Sequence, residues 1–166
     1  MNQKMQQFAR IFQKIDVFSG LNLQEIQHLL KLGQIRAYEP DQVVYRAGEP
    51  SDEMLILLQG HLVVTSPSGE PIGSIPPGTA IGEMGVLTGQ ARSATVVATK
   101  KSGGVTIRKV DLEGMMARNA MVYIKVLRNM VTLLCNRLAD ANTRNEQHMK
   151  TIMRLRNQIE RVVSIG

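Results

Sequence analysis

Glu83 and Arg92 stand nine residues apart in the segment Ile81-Gly82-Glu83-Met84-Gly85-Val86-Leu87-Thr88-Gly89-Gln90-Ala91-Arg92-Ser93-Ala94-Thr95. The segment reads as an extended stretch ending at Gly82, a single helical turn from Glu83 to Leu87, a loop over Gly89, and a return to strand at Arg92. The free N–H groups of a short helix attract an anion, and a guanidinium beside a hydroxyl gives Arg92 and Ser93 the donors to hold a phosphate. Glu83 would repel a bare phosphate. Its carboxylate fits the same cradle when the ligand also brings hydroxyl donors, as a ribose does, so a sugar phosphate suits these residues better than an inorganic ion. No nucleophile-base-acid arrangement accompanies them: Ser93 has no histidine near it in sequence, and Glu83 with Arg92 reads as ground-state recognition. The expected protein is not an enzyme, and no catalytic residue is assigned.

The elements that must position this segment are strands. From Ile35 to about Val110, β-branched runs (Val43-Val44-Tyr45, Leu55-Ile56-Leu57-Leu58, Leu62-Val63-Val64-Thr65, Thr95-Val96-Val97, Val105-Thr106-Ile107) alternate with breaks at Gly48-Glu49-Pro50, Gln59-Gly60, Ser68-Gly69 and Pro76-Pro77-Gly78. That rhythm suits a compact antiparallel barrel or jelly roll rather than βαβ units. Before it, Phe8, Ile11, Phe12 and Ile15, then Ile26, Leu29, Leu30 and Leu32, have the spacing of two short amphipathic helices between Lys4 and Ile35. Phe18-Ser19-Gly20-Leu21-Asn22 breaks them, with Asn22 or Ser19 available as an N-cap. The expected fold is α+β and mainly β: a jelly-roll-like antiparallel barrel flanked by N-terminal helices and a long C-terminal coiled-coil helix. The corresponding division is 1–33 for the N-terminal helices, 34–110 for the barrel with the phosphate-binding cassette at 82–95, and 111–166 for the C-terminal helices.

Gly82-Glu83 followed by Arg92-Ser93-Ala94-Thr95 resembles the phosphate-binding cassette of cyclic-nucleotide-binding domains, the sensor domains of catabolite activator protein and protein kinase A regulatory subunits. The resemblance extends from about Ile15 to Asn142. Phe18-Ser19-Gly20-Leu21 looks like the family's entry turn, Gly48 through Asp52 to Gly60 like its early glycine-punctuated strands, and Pro77-Gly78 like its turn before the cassette. It implies that Glu83 accepts the ribose 2′-hydroxyl, that Arg92 pairs with the cyclic phosphate, and that Ser93 with the backbone N–H groups of Met84 and Ala94 completes the cradle. Gly82 lets the backbone approach the sugar. The resemblance also implies that the long C-terminal helix reaches over the base, with Arg137, Ala141, Asn142 and Thr143 as candidates and Asn142 able to offer both donor and acceptor to a purine edge. Ser93, where threonine is the alternative, implies cyclic AMP rather than cyclic GMP. The chain departs from the family pattern at Gly85, where Ala or Ser is common, at Gln90-Ala91, which replaces a frequent proline, and at Ile81, where an aromatic is common. None of these removes a ligand, and affinity is the quantity they bear on.

After Asp111 there is no proline, and only Gly114 and Gly166 interrupt a helical composition. Leu127, Val131, Leu134, Leu138, Ala141, Asn145, His148, Ile152, Leu155, Ile159 and Val162 follow a four-three alternation, the seam of a left-handed coiled coil over about five heptads. A second copy of the chain is the expected partner, with Asn145 at an a position fixing register, while the first turns, near Val122 to Leu134, pack on the barrel. In the mechanism this suggests, closure of the cassette repositions the helix and changes dimer geometry or the presentation of an effector. The ending Ser164-Ile165-Gly166 suggests the sensor part of a larger signalling protein.

With 166 residues and 43% hydrophobic content, the chain fills one domain of ordinary size. It carries 20 basic and 14 acidic side chains, a net charge of +6. Eight basic residues against three acidic ones lie between Lys125 and Arg161, which sets up the alternative reading: a dimeric scaffold whose basic helix binds a macromolecular partner, with no cyclic-nucleotide response. Too little chain follows Val162 for a DNA-reading module, so sequence-specific DNA binding is not expected. The lone Cys135 and the scattered His28, His61 and His148 offer no disulfide and no zinc site, and the ten methionines read as packing residues. A reducing cytoplasm is the expected setting, with no signal peptide and no apolar run of the roughly 20 residues that span a bilayer.

Overall fold

The computed structural model describes residues 12–66 and 68–163. Phe8 and Ile11 of the first expected helix, and the side chain of Val162, lie outside them. The chain divides into two compact units, Met1–Met130 and Val131–Gly166.

In the first unit, a 3-10 turn at Asp16–Phe18 leads into helix α1, Leu23–Leu32. Phe12 stacks on Phe18 with ring centroids 5.5 Å apart, and both rings are buried. Asn22 is the N-cap of α1: its side chain accepts from the backbone N–H of Glu25, and its own N–H donates to the Glu25 carboxylate, a reciprocal capping box.

Eight strands follow: β1 Gln34–Tyr38, β2 Val43–Tyr45, β3 Glu53–Gln59, β4 Leu62–Thr65, β5 Pro71–Ile75, β6 Ala80–Ile81, β7 Thr95–Ala98 and β8 Ser102–Arg108. They form two four-stranded sheets of order β1-β8-β3-β6 and β2-β7-β4-β5, with every pairing antiparallel. The β-branched runs fall in β2, β3, β4, β7 and β8. Strands β1, β5 and β6 carry no such run; pairing with β8, β4 and β3 makes them strands. Tyr38, Leu55, Leu57 and Ile81 from one sheet meet Tyr45, Leu62, Ile75, Val96 and Ala98 from the other in one buried cluster. This is a sandwich of jelly-roll type. Met54 and Ile56, on the opposite face of β3, are fully buried as well, which accounts for a continuous apolar run where a one-sided strand would alternate.

Helix α2, Glu83–Thr88, interrupts the strands between β6 and β7 and packs on β3. Helix α3, Lys109–Arg118, packs on β8 and ends at Asn119, where the backbone turns to φ −154° and ψ 84° before α4, Ala120–Val163. The interruption is thus at Asn119 rather than Gly114, which lies within α3. The Asn119 side chain accepts from the N–H of Val122 and so supports the start of α4. Within the first unit, α4 buries Val122, Val126 and Met130, a stripe of four-residue spacing.

The second unit is the remainder of α4. Among its seam residues, Val131, Leu138, Ile152, Leu155 and Ile159 are more than half exposed. Among the described residues, no helix is long and apolar enough to cross a membrane.

Candidate functional site

The cassette begins where β6 stops. Gly82 has φ +84°, a left-handed conformation that costs an L side chain but not glycine, and it turns the chain from strand into α2. A Cβ at Gly82 would also overlap Nη1 of Arg92 and lie 2.9 Å from the carbonyl oxygen of Glu53. Two separate requirements therefore hold this position to glycine, one conformational and one steric. The same contact places the tip of Arg92 directly against the residue bonded to Glu83.

Glu83 opens α2 and is 2% exposed. Arg92 is 8% exposed, and its Nη1 is buried with no hydrogen-bond partner among the described residues. A buried guanidinium N–H is costly to leave unmatched, and an anionic oxygen is the group that would satisfy it. Arg92 does not begin a strand, as its neighbours had suggested; β7 starts at Thr95. Its backbone is used elsewhere: its N–H donates to the carbonyl of Glu49 at 2.8 Å, and its carbonyl accepts from the N–H of Gly48 at 2.9 Å. The turn after β2 thus grips Arg92 from both sides.

Met84 and Ser93 are exposed at the mouth of the cassette, and the Ser93 hydroxyl contacts the Met84 sulfur at 3.9 Å. Ala94 is half-buried. The Thr88 hydroxyl donates to the Met84 carbonyl at 2.7 Å and accepts from the N–H of Gln90 at 3.2 Å, closing the loop that lacks the family's proline. Six of the residues expected at the site, Gly82, Glu83, Met84, Arg92, Ser93 and Ala94, come from this one segment. Asn142 is an exposed residue of α4 in the second unit.

Three residues in the site carried no signal in the cassette spacing. Tyr45 lies under Arg92, whose guanidinium carbon is 3.5 Å from the ring centroid. Burial pushes the Tyr45 hydroxyl well above the ordinary phenol range, with Arg92 drawing it part of the way back and the Glu53 carboxylate pushing it further up. Tyr38 is raised likewise, first by burial and then by Glu53. Ser51 is 8% exposed and its Oγ has no hydrogen-bond partner among the described residues. It occupies the place a side chain at Gly85 would take, because a Cβ built there would overlap both Oγ and Cβ of Ser51. A side-chain residue paired against the Gly85 departure is what a reader of the sequence would have had to seek.

The jelly roll thus buries an arginine whose Nη1 has no hydrogen-bond partner among the described residues beside a carboxylate-bearing helix start, an arrangement that suits an anionic group. The chain belongs to the cyclic nucleotide-binding domain family, whose pattern matches residues 35–119. It is similar to glutaminase 1 of Bradyrhizobium diazoefficiens, 30% identical over 128 residues, which cover 77% of this chain and 21% of that protein. The chain therefore spans about a fifth of the length of that relative. Among solved structures it is similar to a cyclic nucleotide-binding domain from Methylobacillus flagellatus, with a TM-score of 0.76, 26% identity, and coverage of 86% of this chain and 82% of that one. It shares its fold with the catabolite activator protein of Thermus thermophilus, with a TM-score of 0.68, 24% identity, and coverage of 79% and 62%.

Proposed function

We propose that this chain is a regulatory sensor that binds a cyclic nucleotide, cyclic AMP in preference to cyclic GMP, and relays its occupancy through a C-terminal helix that pairs with a second copy. The observation that carries this reading is the buried Nη1 of Arg92, without a hydrogen-bond partner among the described residues and held against Gly82 at the start of α2. In this reading Arg92 and Ser93 hold the phosphate with the backbone N–H groups of Met84 and Ala94. Glu83 accepts the ribose hydroxyl, and Gly82 admits the sugar. Asn142 is assigned to the base on family resemblance alone. The preference for cyclic AMP rests on Ser93.

The relay has a short first step. Val86 and Leu87 of α2 share a small cleft with Val126, Leu127 and Met130 of α4, so a shift of the cassette helix bears directly on the start of the long helix. The output belongs to an effector that the helix would regulate; the glutaminase relative carries the matching segment as a minor part of a longer protein. An exposed lone Cys135 suits a reducing, cytoplasmic location.

Thermal unfolding of the full chain with and without ligand tests the reading. A ligand at 100 times its dissociation constant adds about 2.7 kcal/mol, which is several degrees in a domain of this size. A rise with cyclic AMP larger than with cyclic GMP is expected. No rise with either would favour the scaffold reading, in which the basic helix binds a macromolecule instead.

A further inference from the structure

We propose that Tyr45 is the positioning residue of the nucleotide site: its ring holds the Arg92 guanidinium flat so that the in-plane N–H groups face the phosphate. The proposal rests on the nucleotide reading above and extends it to a residue outside the cassette. Arg92 lies over the Tyr45 ring at 3.5 Å from guanidinium carbon to centroid, and both residues are 8% exposed. Stacking on an aromatic face uses the π surface of the guanidinium alone. The guanidinium donors lie in its plane, away from the ring face, which is the arrangement a bidentate contact with two phosphate oxygens uses. Nη1 is one of these donors, and it is buried against Gly82 with no hydrogen-bond partner among the described residues.

The backbone supports the same assignment. The segment that carries Tyr45 also pins Arg92 through the Gly48 and Glu49 hydrogen bonds, and the N–H of Ala47 donates to the hydroxyl of Thr95, the last cassette residue, at 3.1 Å. Ring and arginine are thus fixed in one frame by the turn after β2. An unrestrained arginine loses much rotamer freedom when it binds, and a guanidinium already stacked in place has surrendered that freedom beforehand, which raises affinity without any added contact to the ligand. Desolvation also strengthens the attraction between guanidinium and ring. The ring is what the arrangement needs, and the hydroxyl is dispensable.

Titration calorimetry with cyclic AMP, on the full chain, tests this in wild type, Tyr45→Leu, Tyr45→Phe, Arg92→Ala and the Tyr45→Leu/Arg92→Ala double variant, with urea unfolding establishing that each is folded. Tyr45→Met replaces the leucine variant should that one not fold. We expect Tyr45→Leu to weaken binding about tenfold, Tyr45→Phe to stay within about twofold of wild type, and the leucine substitution to cost nothing further once Arg92 is gone. The assignment is overturned if Tyr45→Leu binds as wild type does, if Tyr45→Phe falls as far as Tyr45→Leu, or if the leucine loss persists undiminished beside Arg92→Ala. A wild-type chain that binds neither cyclic AMP nor cyclic GMP overturns the nucleotide site and this assignment with it. Wild-type binding with an indifferent Tyr45 overturns the assignment alone.

Discussion

Arg92 offers a planar fork of donors in a site from which water is largely excluded, and the energetics of the cassette follow from that. Truncating one partner of a desolvated charge pair typically costs about 2 to 5 kcal/mol. Arg92→Ala should therefore weaken cyclic-nucleotide binding at least tenfold in calorimetry, and an unchanged affinity would remove Arg92 from the site. Gly85 carries a different lesson. Its neighbours are the Ser51 side chain and the Gln90 carbonyl, the latter 3.0 Å from where a Cβ would stand. Gly85→Ala forces overpacking of a kind that costs about 1 to 3 kcal/mol, read as a lower midpoint in urea. Adding Ser51→Gly removes the atoms struck and should restore most of the loss. A double variant no more stable than Gly85→Ala alone would show that the two positions are not exchanging one space.

Between elements, the N-terminal turn and α4 are clasped by polar side chains as well as by apolar packing. The Asn129 amide donates to the carbonyls of Val17 at 3.1 Å and Ser19 at 2.8 Å, satisfying two backbone acceptors with one side chain. Lys125 donates to both carboxylate oxygens of Glu25, at 3.0 and 3.1 Å, and so ties α4 to the capping box of α1. Burial would push Glu25 up, but the N–H of Asn22 and the Lys125 ammonium together hold it below the usual carboxylate range. A carboxylate depressed in the folded state contributes stability that is present above its unfolded value and lost as pH falls through the folded one. The stability gap between wild type and Glu25→Gln should thus be full above pH 4.5 and narrow as the pH falls below it, in urea unfolding at a series of pH values. A gap that does not change across that range would mean the clasp contributes nothing in water. Because Lys125 is partly exposed, the expected effect is modest.

At the scale of the whole molecule, the second unit presents an apolar stripe that its own chain leaves exposed. Leu138, Ile152 and Ile159 are 63%, 57% and 64% exposed and recur at multiples of seven with Asn145 between them. A parallel pair of such helices would bury the stripe and seat the two asparagines against each other. The chain should sediment as a dimer, and Leu138→Lys with Ile152→Lys should convert it to monomer. Sedimentation as a monomer at tens of micromolar would remove the second copy from the mechanism, leaving the helix to act on an effector by itself.

An antiparallel jelly roll was legible in the amino-acid sequence, because β-branched runs broken by glycine and proline have few other ways to bury their faces, while the division into two four-stranded sheets came with the strand pairing. The candidate cassette could be picked out as one short segment, Gly82 through Thr95, because its glycine, carboxylate and donors lie close in sequence, while the hold on Arg92 comes from Gly48, Glu49 and Tyr45 outside it. Strands β1, β5 and β6 were not legible, because each is made a strand by its ladder partner: β8 and β3, distant in sequence, for β1 and β6, and the preceding strand β4 for β5. The face of α4 turned to the first unit was hidden for a similar reason. Val122, Val126 and Met130 are buried there while Val131 of the heptad seam is exposed, and only the packed surface chooses between two stripes of comparable apolarity. Tyr45 beneath Arg92 and Ser51 against Gly85 were decided by tertiary structure alone. Each pair joins residues more than thirty positions apart, and such contacts exist only after the sheets have closed.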